Sequence, residues 1–271
     1  MDDREFEKLI LRFGRSWAGY RKVRRGVKKR IVRHMHQLNC RHIDAYVRIL
    51  ERDPSARKQF KLAMTVSISR FYRDPELWQI LEKRILPDLA AKQVDGIRAW
   101  SAGCARGEEC YSLNMVWRQV ARNLAKVPSL SITATDLNPA YLEMARKGIF
   151  ARRSLRDLPA HLRSCCFISS RGRSRFSVKP EYRENIRWEA GDIFTRHPKG
   201  PFEIIFLRNN LLTYHETDRT IPVLKKIVKR LAPSGYLVVG NREKLPLEID
   251  GLKYPTGLPY LLSVQKSPIS C

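Results

Sequence analysis

The chain is short of acidic residues, has no cysteine framework and contains no long apolar run, and each shortage narrows what it can be. Asp and Glu number 27 against 52 Lys and Arg over 271 residues, a formal net charge of +25 at pH 7. The six cysteines, Cys40, Cys104, Cys110, Cys165, Cys166 and Cys271, form no Cys-x-x-Cys pair, which argues against a zinc site or a disulfide frame and for free thiols. Six histidines are scattered, and His34 and His36 stand too close in sequence to share a helix face. No metal site is expected. No apolar stretch approaches the roughly 20 residues needed to cross a bilayer, and the segment Met1–Lys8 lacks the charged-then-apolar layout of a signal peptide. A cytoplasmic protein is expected, and its 43% hydrophobic content suffices for one large domain plus a small one.

The missing acids are missing locally. From Lys8 to Arg41 there is none, while Arg21, Lys22, Arg24, Arg25, Lys28, Lys29, Arg30 and Arg33 crowd one predicted helix. Its Val23, Val27, Ile31 and Met35 repeat at i, i+4, so one face packs while the others present cations to an acidic protein, nucleic acid or membrane headgroups. A second basic zone runs from Arg146 to Arg175 with Asp157 as its single acid. Charge alone does not choose among these partners, and a solvated surface is the plain alternative.

What is present points to a nucleoside-binding sheet. Ile97 to Trp100 reads as a buried strand that breaks into Ser-Ala-Gly-Cys-Ala-Arg-Gly and opens into a helix from Tyr111 to Leu124. Ala102, Gly103 and Gly107 permit a tight turn and close approach of a ligand, and the helix N-terminus beside Glu108 and Glu109 suits polar ligand groups. Such a turn also occurs as plain structure. Leu130–Asp136 reads as a second strand ending in a carboxylate suited to the two hydroxyls of a ribose. Its separation from the glycine turn exceeds the roughly twenty residues of a dinucleotide fingerprint, which favours a different nucleoside cofactor. Further strands are predicted over Asn185–Glu189, running into Gly191-Asp192-Ile193, over Glu203–Leu207, running into Arg208-Asn209-Asn210, and over Tyr236–Gly240 after a turn at Ala232-Pro-Ser-Gly235. With a helix from Thr217 to Leu231, this succession predicts a mostly parallel, doubly wound α/β sheet whose polar strand ends converge.

Taken together, WSAGCARGEECYS, ATDLN, GDIF, the LRNN after PFEIIF, LAPSGYLVVG and the upstream run Thr65–Asp74 resemble the chemotaxis-receptor (CheR-type) S-adenosylmethionine-dependent methyltransferases, in the family's order and over nearly the whole chain. The resemblance implies a small all-helical N-terminal domain (1–64), a linker and connecting helix (65–90) and a methyltransferase domain (91–271) carrying a short inserted β-subdomain (149–184), which some members dock on receptor tails. It implies S-adenosyl-L-methionine as cofactor. Ala102 and Gly103 would approach its methionine part, Glu108 would bond that part's polar groups, and Asp136 would hold the ribose. Asp192 and Ile193 would flank the adenine, Arg208 and Asn209 would close the pocket, and Ser67, Ser69 and Arg73 would reach in from the linker. Against these stand local readings: Asp192 as a turn residue, Ser67 and Ser69 as helix caps, Arg73 paired with Asp74 or Glu76.

The implied activity is methylation of glutamate carboxylates on an acidic protein such as a chemoreceptor helix. A carboxylate with a reference pKa of about 4.3 is already ionised and needs no base, so Arg73 would orient it. Departures from the family bear on the acceptor. Thr213 stands at a usual tyrosine position, Ser67 replaces an asparagine, and Gly240-Asn-Arg-Glu243 replaces a Gly-His-Ser-Glu. Tyr214, His215 or Glu243 would then serve as base for an amine or hydroxyl. A small-molecule acceptor, an RNA, and a cofactor-binding protein without catalysis therefore stand as alternatives. No nucleic-acid recognition module is evident, so no specific nucleic acid is expected.

Overall fold

The computed structural model describes residues 1–92, 96–247, 249 and 251–264; Cys271 lies outside them. In chain order the helices are α1 (Asp3–Arg12), α2 (Trp17–Tyr20), α3 (Arg24–Gln37), α4 (Ile43–Arg52), α5 (Pro54–Ala63), α6 (Pro75–Ile80), α7 (Leu86–Lys92), α8 (Glu108–Ala121), α9 (Pro139–Lys147), α10 (Ala160–Cys166), α11 (Leu211–Tyr214) and α12 (Thr217–Val228). The strands are β1 (Ile97–Ala102), β2 (Leu130–Asp136), β3 (Ile149–Ala151), β4 (Phe167–Ser169), β5 (Arg175–Val178), β6 (Ile186–Ala190), β7 (Phe202–Leu207), β8 (Leu231–Val239), β9 (Leu252–Lys253) and β10 (Leu261–Val264). They fall into two compact units, Met1–Ser67 with Asn209–Pro222, and Ile68–Arg208 with Val223–Cys271. Among the described residues no helix is long and apolar enough to cross a membrane.

The first unit is helical. Asp2 and Glu5 close a reciprocal cap on α1, each side chain accepting the other's backbone N–H at 2.8 and 2.7 Å. Val27, Ile31 and Met35 of α3 are buried as the i, i+4 stripe requires, joined by Phe6, Ile10, Tyr20, Tyr46, Leu50 and Phe60. Val23 sits just before α3 and is half-buried. His34 belongs to this core, its Nδ1 2.8 Å from the Tyr46 hydroxyl. The segment Asn209–Pro222 is part of the same unit. Tyr214 packs on Tyr20 with ring centroids 4.8 Å apart, and its carbonyl accepts the Ser16 N–H at 3.2 Å. Glycine is required at position 19, where a Cβ would stand 1.9 Å from the Thr213 carbonyl oxygen.

In the second unit a seven-stranded sheet has the order β6-β2-β1-β7-β8-β10-β9. The first five strands run parallel, and β10 and β9 are antiparallel additions at one edge. From central β1 the chain proceeds outward to β2 and β6, then returns to β7 on the other side. That reversal makes the carboxyl ends of β1 and β7 a topological switch point, where ligands bind in open α/β sheets. A separate three-stranded antiparallel sheet, β3-β5-β4, lies between Ile149 and Val178.

Two local expectations are corrected. The helix after the glycine turn starts at Glu108 and ends at Ala121, because Gly107 in a left-handed conformation (φ +86°) caps it directly. The expected turn at Ala232–Gly235 is a bulge inside β8. Phe202 pairs with Leu231 and Ile204 with Tyr236, so Glu203 alone faces four residues. Ser234 at φ +63° and Gly235, where a Cβ would meet two carbonyl oxygens at 2.9 Å, absorb the extra length.

Candidate active site at the switch point

The register sets the strand ends at one level. Ala102 pairs with Thr135, Asp136 with Ala190, and Ser101 with Phe206. The turn after β1 is tied to β2, since the N–H groups of Gly103 and Cys104 both donate to the Thr135 carbonyl, at 2.8 and 2.9 Å. The Ala105 N–H donates to Asp136 Oδ2 at 2.9 Å, and the Asn138 N–H donates to Oδ1 at 2.8 Å. Asp136 is thus buried and held by backbone donors. Burial raises its pKa above the ordinary carboxylate value, and the two N–H groups oppose that rise.

Gly103, exposed at φ +85°, leaves the turn open to a ligand. Gly107 has a different reason to be glycine. A Cβ there would stand 2.5 Å from Trp188 Cη2 and 3.1 Å from the Ala145 Cβ, so its freedom serves packing, not ligand approach. Glu108, first residue of α8, is 2% exposed, and its Oε2 has no hydrogen-bond partner. Burial raises its pKa, opposed by its own backbone N–H, by Arg106 and by a hydrogen bond from Ser69. An orphaned carboxylate oxygen beside an open glycine turn and a strand-end aspartate fits an adenosyl amino acid. The oxygen would accept from the ammonium, and Asp136 retains lone pairs for the ribose hydroxyls. Among the described residues no group of His, Cys, Asp or Glu is placed to hold a metal.

On the opposite side of the switch point, Arg208 at the end of β7 has a side chain 4% exposed. Its guanidinium pairs with Asp74, lies 3.1 Å from Glu109 and donates to the Arg73 carbonyl at 3.1 Å. Ser101 Oγ donates to Glu109 at 2.7 Å, and Asn241 donates to Asp74 at 3.0 Å. Arg73 Nη1 donates to the Ile68 carbonyl at 3.3 Å, and its pKa is lowered by burial and by the charge of Arg208. Sequence reasoning named Glu109 only as a ligand-facing group and Asp74 only as a partner of Arg73, and missed that both bind Arg208. Glu109 directly follows Glu108 in the helix opening, which was the available signal.

The other candidates divide. Asp192 sits past β6, where Oδ1 accepts the Phe194 N–H at 3.0 Å and its carbonyl accepts from Thr195 and Arg196, and Ile193 beside it is half-buried. Ser67, Asn209 and Tyr214 belong to the first unit. There His215 Nε2 lies 2.6 Å from Arg15 Nη1, and burial with the charges of Arg15, Arg219 and Lys61 pushes its pKa down to about 2. So weak a base cannot take a proton effectively at neutral pH. Glu243 closes a turn, its carboxylate accepting the Gly240 N–H at 2.6 Å.

Residues 67–257 match the family described as CheR methyltransferase, SAM binding domain. A chemotaxis protein methyltransferase of Listeria monocytogenes is 28% identical over 241 residues, covering 89% of this chain and 88% of that protein. Chemotaxis protein methyltransferase 1 of Vibrio cholerae is 32% identical over 185 residues, 68% of this chain and 66% of that one. An uncharacterised 104.1 kDa protein of Rhodobacter capsulatus is 28% identical over 81% of this chain, which spans only 23% of that protein's length. With a family match over most of its length and a parallel sheet whose switch point fits the cofactor, this chain belongs to the CheR family of S-adenosylmethionine-dependent methyltransferases.

Proposed function

We propose that the protein methylates glutamate carboxylates of an acidic protein, such as a chemoreceptor helix. The observation that carries this reading is the family match over residues 67–257 together with two arginines at the switch point, Arg208 donating to the Arg73 carbonyl at 3.1 Å. Arg208 already has two carboxylates, Asp74 and Glu109. Arg73 follows in the same network, and a planar guanidinium is suited to align an incoming glutamate carboxylate through paired N–H donors. The relatives' names point the same way, being chemotaxis methyltransferases.

In this reading Ala102 and Gly103 line the methionine end of the cofactor, Glu108 and Ser69 bond its polar groups, Asp136 holds the ribose and Asp192 and Ile193 flank the adenine. The cofactor supplies a methyl group on a positive sulfur that becomes neutral as the methyl leaves. The chain's own task is therefore to orient the acceptor and exclude water, with Arg73 aligning the carboxylate and taking no proton from it.

The test is transfer of labelled methyl to receptor fragments. A base-labile label marks a carboxyl ester and supports the reading, whereas a stable label on an amine, an RNA or a small molecule overturns it. Arg73→Ala should lower turnover by about 100-fold or more while leaving the unfolding midpoint nearly unchanged. Equal turnover would remove Arg73 from the acceptor site.

A further inference from the structure

We propose that Arg208 is a positioning residue that acts through Arg73, holding the Tyr72–Asp74 segment in a backbone shape that segment would not keep alone. The inference deepens the function proposed above and rests on it only for the role of Arg73. Tyr72 (φ +56°) and Asp74 (φ +61°) both occupy the left-handed region, one on each side of Arg73. For a residue as bulky as tyrosine this is an outlier that persists only when its surroundings over-determine it. They do. Ser112 Oγ accepts the Tyr72 N–H at 3.0 Å. The Arg73 carbonyl accepts from Trp78 Nε1 at 2.8 Å and from Arg208 Nη2 at 3.1 Å. The Asp74 carboxylate is taken by Arg208 and by Asn241.

Upstream the segment is anchored as well. The Phe71 N–H donates to the Ser154 carbonyl at 2.9 Å, and Arg70 Nε donates to Asp157 at 2.6 Å. Phe71 is fully buried, 4.7 Å from the Phe150 ring and 5.1 Å from that of Phe167. Arg73 is therefore the middle of a short arch fixed at both feet. Arg208 is the group that joins the downstream foot to α8, because its other terminal nitrogen binds Glu109. Both terminal nitrogens are engaged by protein groups and the side chain is 4% exposed, so the fork is turned to the arch. Lysine would keep the charge and lose the fork, which can span Asp74, Glu109 and a carbonyl only because it is planar and multidentate.

A double-mutant cycle decides. Arg208→Lys is made in the native chain and in Arg73→Ala, and the four proteins are compared in affinity for S-adenosylmethionine by calorimetry and in turnover on receptor fragments. In the native background Arg208→Lys should lower turnover or affinity by about 10-fold or more, and in the Arg73→Ala background by less than about 2-fold. An effect of equal size in both backgrounds would mean that Arg208 acts directly or only supports the fold, and would overturn the proposal. Asp74→Asn, which tolerates the left-handed backbone and removes the ion pair, should show the same dependence on Arg73 and serves if the lysine variant does not fold. Should no receptor fragment be methylated, the affinity cycle alone decides, because Arg73 is also expected to reach the cofactor from the linker, so the acceptor and the positioning role fail separately.

Discussion

Gly107→Ala is the sharpest test of how the glycine turn is built. The added methyl group would stand 2.5 Å from Trp188 Cη2, 3.0 Å from Cζ3 and 3.1 Å from the Ala145 Cβ, at a residue whose φ is +86°. The left-handed backbone costs an L residue about 1–2 kcal/mol. Overpacking against a ring that is itself lodged 5.6 Å from Tyr111 adds roughly 1–3 kcal/mol. The sum, about 2–5 kcal/mol, is a large part of the roughly 5–15 kcal/mol that holds a typical domain together. Urea unfolding followed by tryptophan fluorescence would measure it. In a Trp188→Leu background the ring is gone and only the backbone share and the Ala145 contact remain, so Gly107→Ala should cost at least about 1 kcal/mol less than in the native chain. A loss below about 1 kcal/mol in the native background, or the same loss in both, would refute the packing account.

Three further outcomes follow from the site. Glu108→Gln removes the charge that an ammonium would meet, so calorimetry should show S-adenosylmethionine bound about 10- to 100-fold more weakly; unchanged affinity would unseat Glu108. Because burial raises the Glu108 pKa, native affinity should fall as pH drops through that raised value and the carboxylate protonates, and Glu108→Gln should flatten that dependence. His215 is kept neutral when folded, with a pKa pushed to about 2 from an ordinary 6.5. The unfolded chain therefore binds the extra proton first, stability from this group is lost as pH falls below about 6.5, and His215→Gln should remove part of that acid sensitivity in urea titrations.

Much of the sheet is legible in the residues because buried parallel strands are rich in apolar residues, and Ile97, Leu130 and Phe202 each open one such segment. The strand-end candidates Asp136 and Arg208 are legible for the same reason, since a run that stops at a polar residue marks its own carboxyl end, and Ala102 is legible from the glycine that follows it. What stays hidden is set by contacts distant in sequence. The bulge at Ala232–Gly235 reads as a turn because proline and glycine mark both, and only the pairing of Phe202 with Leu231 distinguishes them. Nothing near Tyr214 announces that its ring packs on Tyr20. The reversed backbone at Tyr72 and Asp74 is equally silent, because tyrosine gives no sign of a positive φ, aspartate gives only a weak one, and the groups that enforce it, Ser112 and Arg208, are 40 and more than 130 positions away.

The excursion of the chain through Asn209–Pro222 has a practical corollary. Because the polypeptide crosses between the two units after Ser67, after Arg208 and again after Pro222, cutting before Ile68 does not yield the sheet-bearing half on its own. Such a fragment would still carry Thr213 and Tyr214, stripped of the Tyr20 ring and the Gly19 notch that they pack against. A clean separation calls for a bridge from Arg208 to Val223 in place of the excursion, so swapping the helical part between relatives means exchanging two stretches together.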